Sequence, residues 1–122
     1  MGLINYKRHR RQIEKLYEDT CTIYRFGDTT DPDTSETVQK PMPVYEAQSC
    51  RISQKSLATN GQTEAQNDIQ YETKLFIAPE LEIFQGDMIQ VTRGGVTRKY
   101  TAGEPFPYPT HQEISIQRKE WA

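Results

Sequence analysis

The sequence predicts a mainly β fold: a small antiparallel β-barrel of about six strands, with an N-terminal α-helix and one long polar loop. Three observations predict it. From Thr20 onward, apolar and polar residues alternate in several short runs, the period of two that half-buried strands require. Gly, Pro, Asp and Asn punctuate these runs at close intervals, as they do in closed or sandwiched sheets. Helical spacing occurs in one segment, near the N-terminus. The length of 122 residues fits one domain with a modest core. The chain divides into a basic helical extension over residues 1–19 and a barrel domain over 20–122, with a loop inserted at 54–69.

The helix is expected over residues 5–19. Ile13, Leu16 and Tyr17 stand at i, i+3, i+4, Tyr6 and Arg10 extend that side, and Asn5 is a suitable N-cap. Lys7, Arg8, Arg10 and Arg11 lie at the positive end of the helix dipole, and Glu18 and Asp19 at the negative end. Each such charge costs a few tenths of a kcal/mol at an exposed terminus. A helix of this kind gains order when its stripe docks.

The first strand is expected at 20–26 (T-C-T-I-Y-R-F), followed by a turn-rich loop over 27–34. Residues 36–39 and 44–47 are weak strand candidates, broken by Pro41 and Pro43. Cys50 and Ile52 alternate with Arg51 and Ser53. Residues 54–68 contain one Leu and no aromatic residue, an unusual length for a structureless connection. Alternation resumes at Gln70, with Tyr71, Thr73, Leu75 and Ile77 facing one way. Gln85-Gly86-Asp87 turns into a strand over 88–93, and Gly94-Gly95 makes a two-residue hairpin into 96–102. That loop length pairs Arg93 with Val96, Val91 with Arg98 and Ile89 with Tyr100, placing Ile89, Val91, Val96 and Tyr100 on one face. Three alternating prolines in 103–110 predict an extended corner, in which Phe106 and Tyr108 are either a lid on the core or a binding platform. Residues 113–118 form the last strand, with Ile114 and Ile116 inward.

Composition narrows the function. Apolar residues make up 34% of the chain, lean but above what a wholly disordered chain shows. No apolar run approaches the ~20 residues of a membrane-spanning helix, and the N-terminus lacks the pattern of a signal peptide. The chain is therefore expected to stay in the compartment where it is made, with no membrane contact. Cys21 and Cys50 read as small buried hydrophobes in a reducing compartment. Residues 1–19 carry five Lys/Arg against three Asp/Glu, a net +2, and the remainder ten against fourteen, a net −4. Contact with an anionic partner should thus be local.

No catalytic constellation emerges. His9 and His111 have no metal-ligand spacing to each other or to the cysteines. The carboxylates fall mostly in turns, where Asp has backbone reasons to be. Neither a catalytic residue, nor a metal, nor a cofactor is expected, and the chain reads as a non-enzyme. An OB-like nucleic-acid-binding module is the alternative from another class, with Tyr24, Arg25 and Phe26 as its platform. The barrel's negative balance weighs against it.

The order of a basic helix, C-T-I-Y-R, C-R-I-S-Q, a long polar loop, Y-E-T-K-L-F-I-A-P, Q-G-D, a hairpin, A-G-E-P-F and H-Q-E-I-S-I resembles the head-completion proteins of long-tailed bacteriophages, also called head-closure, stopper or head-tail connector proteins. The resemblance runs from about Lys7 to the C-terminus and rests on order and spacing. It implies a virion protein of the neck, assembled in the bacterial cytoplasm as a homo-oligomeric ring beneath the portal. Such a ring closes the DNA-filled capsid and offers a surface for tail attachment. The implied partners are a portal or adaptor protein on the head side, a tail-terminator or tail protein on the other, and packaged DNA in passing. Neighbouring tail-completion and joining proteins share its size and class. By position, the family's gating loop maps onto Gln54, Lys55, Ser56, Thr59, Asn60, Gly61, Gln62, Glu64, Gln66, Asn67 and Asp68. Residues 54–68 carry Lys55 against Glu64 and Asp68, a net −1, which suits a lumen that DNA passes without sticking. Lys7, Arg8, Arg10, Arg11, Ile13, Leu16 and Tyr17 are the candidates for docking onto the portal or adaptor.

Overall fold

The computed structural model describes residues 6–56 and 71–118. Helix α1 spans Tyr6–Glu14 and is followed by six strands: β1 (Asp19–Thr30), β2 (Thr37–Ser56), β3 (Tyr71–Ile77), β4 (Met88–Arg93), β5 (Val96–Pro107) and β6 (Gln112–Arg118). All pairings are antiparallel and the sheet closes on itself in the order β1-β2-β3-β6-β5-β4. Every strand thus has two neighbours in the ring, although β2 meets β1 only up to Cys50 and β3 only from Cys50 onward, so each of its halves is paired along one side. The expected fold class is the one found.

The core follows from the period of two. Ile23, Leu75, Ile77, Ile89 and Ile114 are fully buried, and Cys21, Cys50, Val91, Tyr100, Ala102 and Ile116 pack around them. The β4–β5 hairpin has the register that a two-residue turn dictates, with Ile89 opposite Tyr100, Val91 opposite Arg98 and Arg93 opposite Val96. Val96 shares the inward face but is 52% exposed, because at the hairpin tip the inward face opens onto the barrel mouth.

Strand lengths depart from the sequence-based expectation. β1 continues through Gly27 to Thr30, so the chain turns only over residues 31–36. β2 is one strand of 20 residues that runs through Pro41 and Pro43. Two prolines spaced by two withhold their missing donors from the same side. β3 pairs with β2 only from Cys50 onward, so that side has no ladder bond to lose. The first part of β2 forms a two-stranded ribbon with the far half of β1. Gln54, Lys55 and Ser56 are also strand rather than loop, paired with Thr73, Glu72 and Tyr71. α1 ends at Glu14 instead of reaching residue 19, and Asp19 opens β1 with its carboxylate buried.

Register shifts decide which side chains face inward. One lies between Cys21 and Ile23 of β1, where β2 carries an extra residue, Ala47, with φ of 51°. It restores Tyr45 to the inner face opposite Ile23. β1 and β2 shift again at once, between Ile23 and Tyr24, and the second strand pair to carry a bulge is β5–β6, between Ala102, paired with Ile116, and Pro105, paired with Ile114. The proline-rich stretch is therefore strand, not a corner, and the extra residue turns Phe106 outward.

A layer of polar contacts closes the barrel end at which β4 begins. Asp87, 4% exposed, accepts two bonds from Arg25, at 3.0 Å (Nε) and 2.8 Å, and one from the Phe84 amide at 2.9 Å. The Arg25 guanidinium stacks over the Phe84 ring at 4.2 Å. Gln112 donates to the carbonyls of Ala78 and Leu81, and the Glu82 amide donates to Tyr45. Residues 78–87 are thereby drawn across the opening, with Ile83 buried beneath.

The β5–β6 bulge has a requirement that can be tested. A Cβ on Gly103 would lie 2.9 Å from the Ser115 carbonyl oxygen, which belongs to the paired strand and cannot swing away. Gly103→Ala is expected to destabilise the barrel by about 1–3 kcal/mol, in the range of overpacked sites. Thermal denaturation measures this, and an unchanged melting temperature would show that the bulge relaxes freely.

Candidate interaction surfaces

The side chains expected to dock split between two uses. Arg10 forms a bidentate pair with Glu80, with one arm at 2.7 Å, and a further bond to Glu14 at 2.6 Å. Glu80 belongs to the connection between β3 and β4, so this contact ties the helix to its own barrel. Ile13, Leu16 and Tyr17 lie over the outer face, lining a cleft of about 340 Å³ against Phe76 and His111. Tyr17 is half-buried, and burial pushes its phenol up to about 12. Leu16 remains 50% exposed, and Lys7, Arg8 and Arg11 are exposed residues. The structure therefore brings the basic turn and the apolar stripe to one side of the barrel, with part of each already engaged. Of the candidate loop residues, Gln54, Lys55 and Ser56 lie in β2. Thr59, Asn60, Gly61, Gln62, Glu64, Gln66, Asn67 and Asp68 lie outside the described residues, as does the Asn5 cap.

Two exposed apolar surfaces emerge. The first adjoins the helix. Phe106, 61% exposed, packs at 5.1 Å on Tyr108, which stacks on His111 at 5.0 Å, and His111 meets Phe76 at 5.5 Å. His111 is held in place by Thr110 (2.9 Å) and Glu113 (3.0 Å). Phe106 and Tyr108 are not a lid on the core, because the bulge sends Phe106 outward and both rings are exposed. The second lies on the β1–β2 ribbon, where Met42, the register partner of Arg25, is exposed on the face that Arg25 shares and Phe26 is exposed on the other; Phe84, beside Arg25, is also exposed. Large apolar side chains gathered on a surface mark sites of contact.

The inward-facing groups offer little nucleophilic chemistry. Cys21 and Cys50 are both free thiols and both buried. A hydrogen bond that the Cys50 thiol donates to Cys21, together with burial, pushes the Cys50 thiol upward, opposite to the shift that activates a cysteine. Among the described residues, no group of His, Cys, Asp and Glu is placed to hold a metal ion. No helix among them is long and apolar enough to cross a membrane.

The helix anchor depends on pH. The Arg10 guanidinium holds the Glu80 carboxyl below the usual carboxylate range. A lowered native value means the anchor is fully present above the ordinary glutamate pKa of about 4.3 and is lost as pH falls through the lowered value. Because the pair is exposed, it is worth less than about 1 kcal/mol. Glu80→Gln should speed amide exchange across α1 at pH 7 while leaving the melting temperature of the barrel within about 1 °C. Unchanged exchange in α1 would mean that the apolar contacts alone hold the helix.

Comparison with known proteins adds the following. No curated protein sequence matches significantly. A solved structure, the phage-like element PBSX protein xkdH from Bacillus subtilis, is similar over 81% of this chain and 91% of its own, at 14% identity and a TM-score of 0.48. That likeness is too loose to carry a function across. A family model matches residues 9–106, from α1 through Phe106 of β5. The chain belongs to that family, DUF6093, a family of unknown function.

Proposed function

We propose that this protein is a structural subunit of a phage head-tail connector, joining a ring beneath the portal that closes the filled head and receives the tail. The observation that carries the reading is the pair of separate exposed apolar surfaces on a closed barrel. One is the Phe106–Tyr108 strip beside the helix; the other is the β1–β2 ribbon. A ring built head-to-tail needs two different patches on each subunit, one meeting the other on the next copy. Neither patch is required to fill the core, so their exposure has a purpose only in an assembly. The order of sequence motifs supports the same reading.

In this account the partners are further copies of the chain, a portal or adaptor protein above and a tail protein below. Lys7 and Arg11, both exposed, can meet an acidic neighbour. The segment 57–70 leaves from Ser56 and returns at Tyr71, which are register partners at one barrel end. A long insertion there can serve a channel without contributing to the wall. The mechanism is geometric: the barrel is the rigid block, and its protruding side chains and ribbon make the joints.

The alternative OB-like module finds less support. Arg25 is committed to Asp87 and to the Glu82 carbonyl rather than free to meet phosphates, and its aromatic neighbour Phe84 is already covered by it.

Two surface variants test the proposal. Phe106→Ser with Tyr108→Ser, and separately Met42→Asp, should keep the melting temperature within about 3 °C, since the side chains removed are exposed. The unaltered protein should be monomeric or weakly associated by light scattering at micromolar concentration. When supplied to particles lacking it, the unaltered protein should join heads to tails, and both variants should fail. Normal tail joining by both variants, or a stable ring formed without any partner, would contradict the proposal.

A further inference from the structure

Among the described residues, the barrel end opposite the Asp87 layer is open, and its chemistry is not used by the connector reading. Gly94 and Gly95, with φ of 57° and 81°, turn β4 tightly into β5. The register sets Arg93 opposite Val96 and Val91 opposite Arg98. Arg93 and Arg98 are therefore diagonal neighbours on the inward face, about 7–8 Å apart. They rim a cavity of about 500 Å³ with buried Val91 and Tyr100 at its base, while Gln54 and Thr73 add an amide and a hydroxyl to its wall.

Among the described residues, the charges at this mouth do not balance. Asp19, 2% exposed, gives one carboxylate oxygen to Arg93 at 3.2 Å and to the Ile52 amide at 2.9 Å. Arg98 meets no carboxylate among the described residues. Arg118, the register partner of Tyr100, lies on the same side of the sheet and adds to the positive excess. A guanidinium fork beside an apolar floor matches a carboxylate carried next to an apolar side chain.

We infer that the open mouth binds a peptide segment of a partner protein, seating a carboxylate between Arg98 and Arg93 and an adjacent aliphatic side chain over Val91 and Tyr100. The site's shape and lining favour a peptide over nucleic acid. A phosphate backbone carries no apolar group for the base of the cavity, and its affinity comes from neutralising many phosphates at once, whereas this concavity holds a few side chains. The inference does not depend on the connector reading, since chemistry alone defines the partner.

The test is a titration of the full-length, isotope-labelled protein followed by NMR. The probes are the capped tripeptide acetyl-leucyl-glutamyl-leucyl-amide, its glutamine counterpart, sodium phosphate and a short DNA duplex. The glutamate peptide should shift the amides of Val91, Arg93, Val96 and Arg98 and saturate, and the glutamine peptide should bind at least about fivefold more weakly. Arg98→Gln, which removes no contact within the described fold, should weaken the glutamate peptide by about tenfold and leave the melting temperature unchanged. Absence of shifts at these residues, equal binding of the glutamine peptide, or undiminished binding by Arg98→Gln would overturn the inference. So would phosphate or the duplex producing the same shifts more tightly than the peptide.

Discussion

Closure of the sheet is the constraint from which the rest of the molecule follows. β1 bonds to β2 along one side and to β4 along the other, so first and fourth strands complete a ring that chain order alone would leave open. A closed six-stranded wall has a narrow interior, and five isoleucine and leucine side chains with no exposed surface nearly fill it. Everything longer than the wall must then project from it. That is why β1 and β2 continue as a ribbon, why α1 lies outside, and why aromatic residues for which the interior has no room appear on the surface.

The two ends of the barrel solve the problem of buried polarity differently. At one, Asp87 receives three hydrogen bonds, from Arg25 and the Phe84 amide, and with its partner charge in place the carboxylate is stable without water. At the other, Asp19 satisfies Arg93 and a β2 amide through one oxygen, and among the described residues Arg98 faces a cavity with no carboxylate to meet it. A plugged end and a receptive end make the subunit polar along its axis. Such polarity suits a protein that meets one neighbour above and another below.

Much of this was legible in the sequence, and the failures have a common cause. The alternation of Ile89, Val91 and Tyr100 around Gly94-Gly95 was enough to give the hairpin register, because a two-residue turn leaves no freedom. Leu75, Ile77, Ile114 and Ile116 identified core faces in the same way. Strand ends were misjudged wherever proline and glycine suggested a break: at Gly27, at Pro41 and Pro43, and from Gly103 to Pro107. Proline interrupts a sheet only where its missing donor is needed, and that depends on which neighbour lies alongside, a tertiary fact. The bulges are likewise non-local. Strict alternation from Tyr100 would send Phe106 into the core, and one extra residue near Gly103 sends it to the surface, so the aromatic strip could not be read from spacing. Arg98 did leave a trace, as a charge on the apolar face opposite Val91, but its meaning required knowing that this face ends at an open mouth.

The central claim is that this barrel is a joint between larger assemblies, acting through outward-facing aromatics and a projecting ribbon. Reconstruction of the neck of intact particles by electron microscopy tests it most directly. The account predicts a ring of these barrels below the portal, with the β1–β2 ribbon of each copy against the Phe106–Tyr108 side of the next. Particles that lack the chain altogether, or hold it away from the neck, would contradict it.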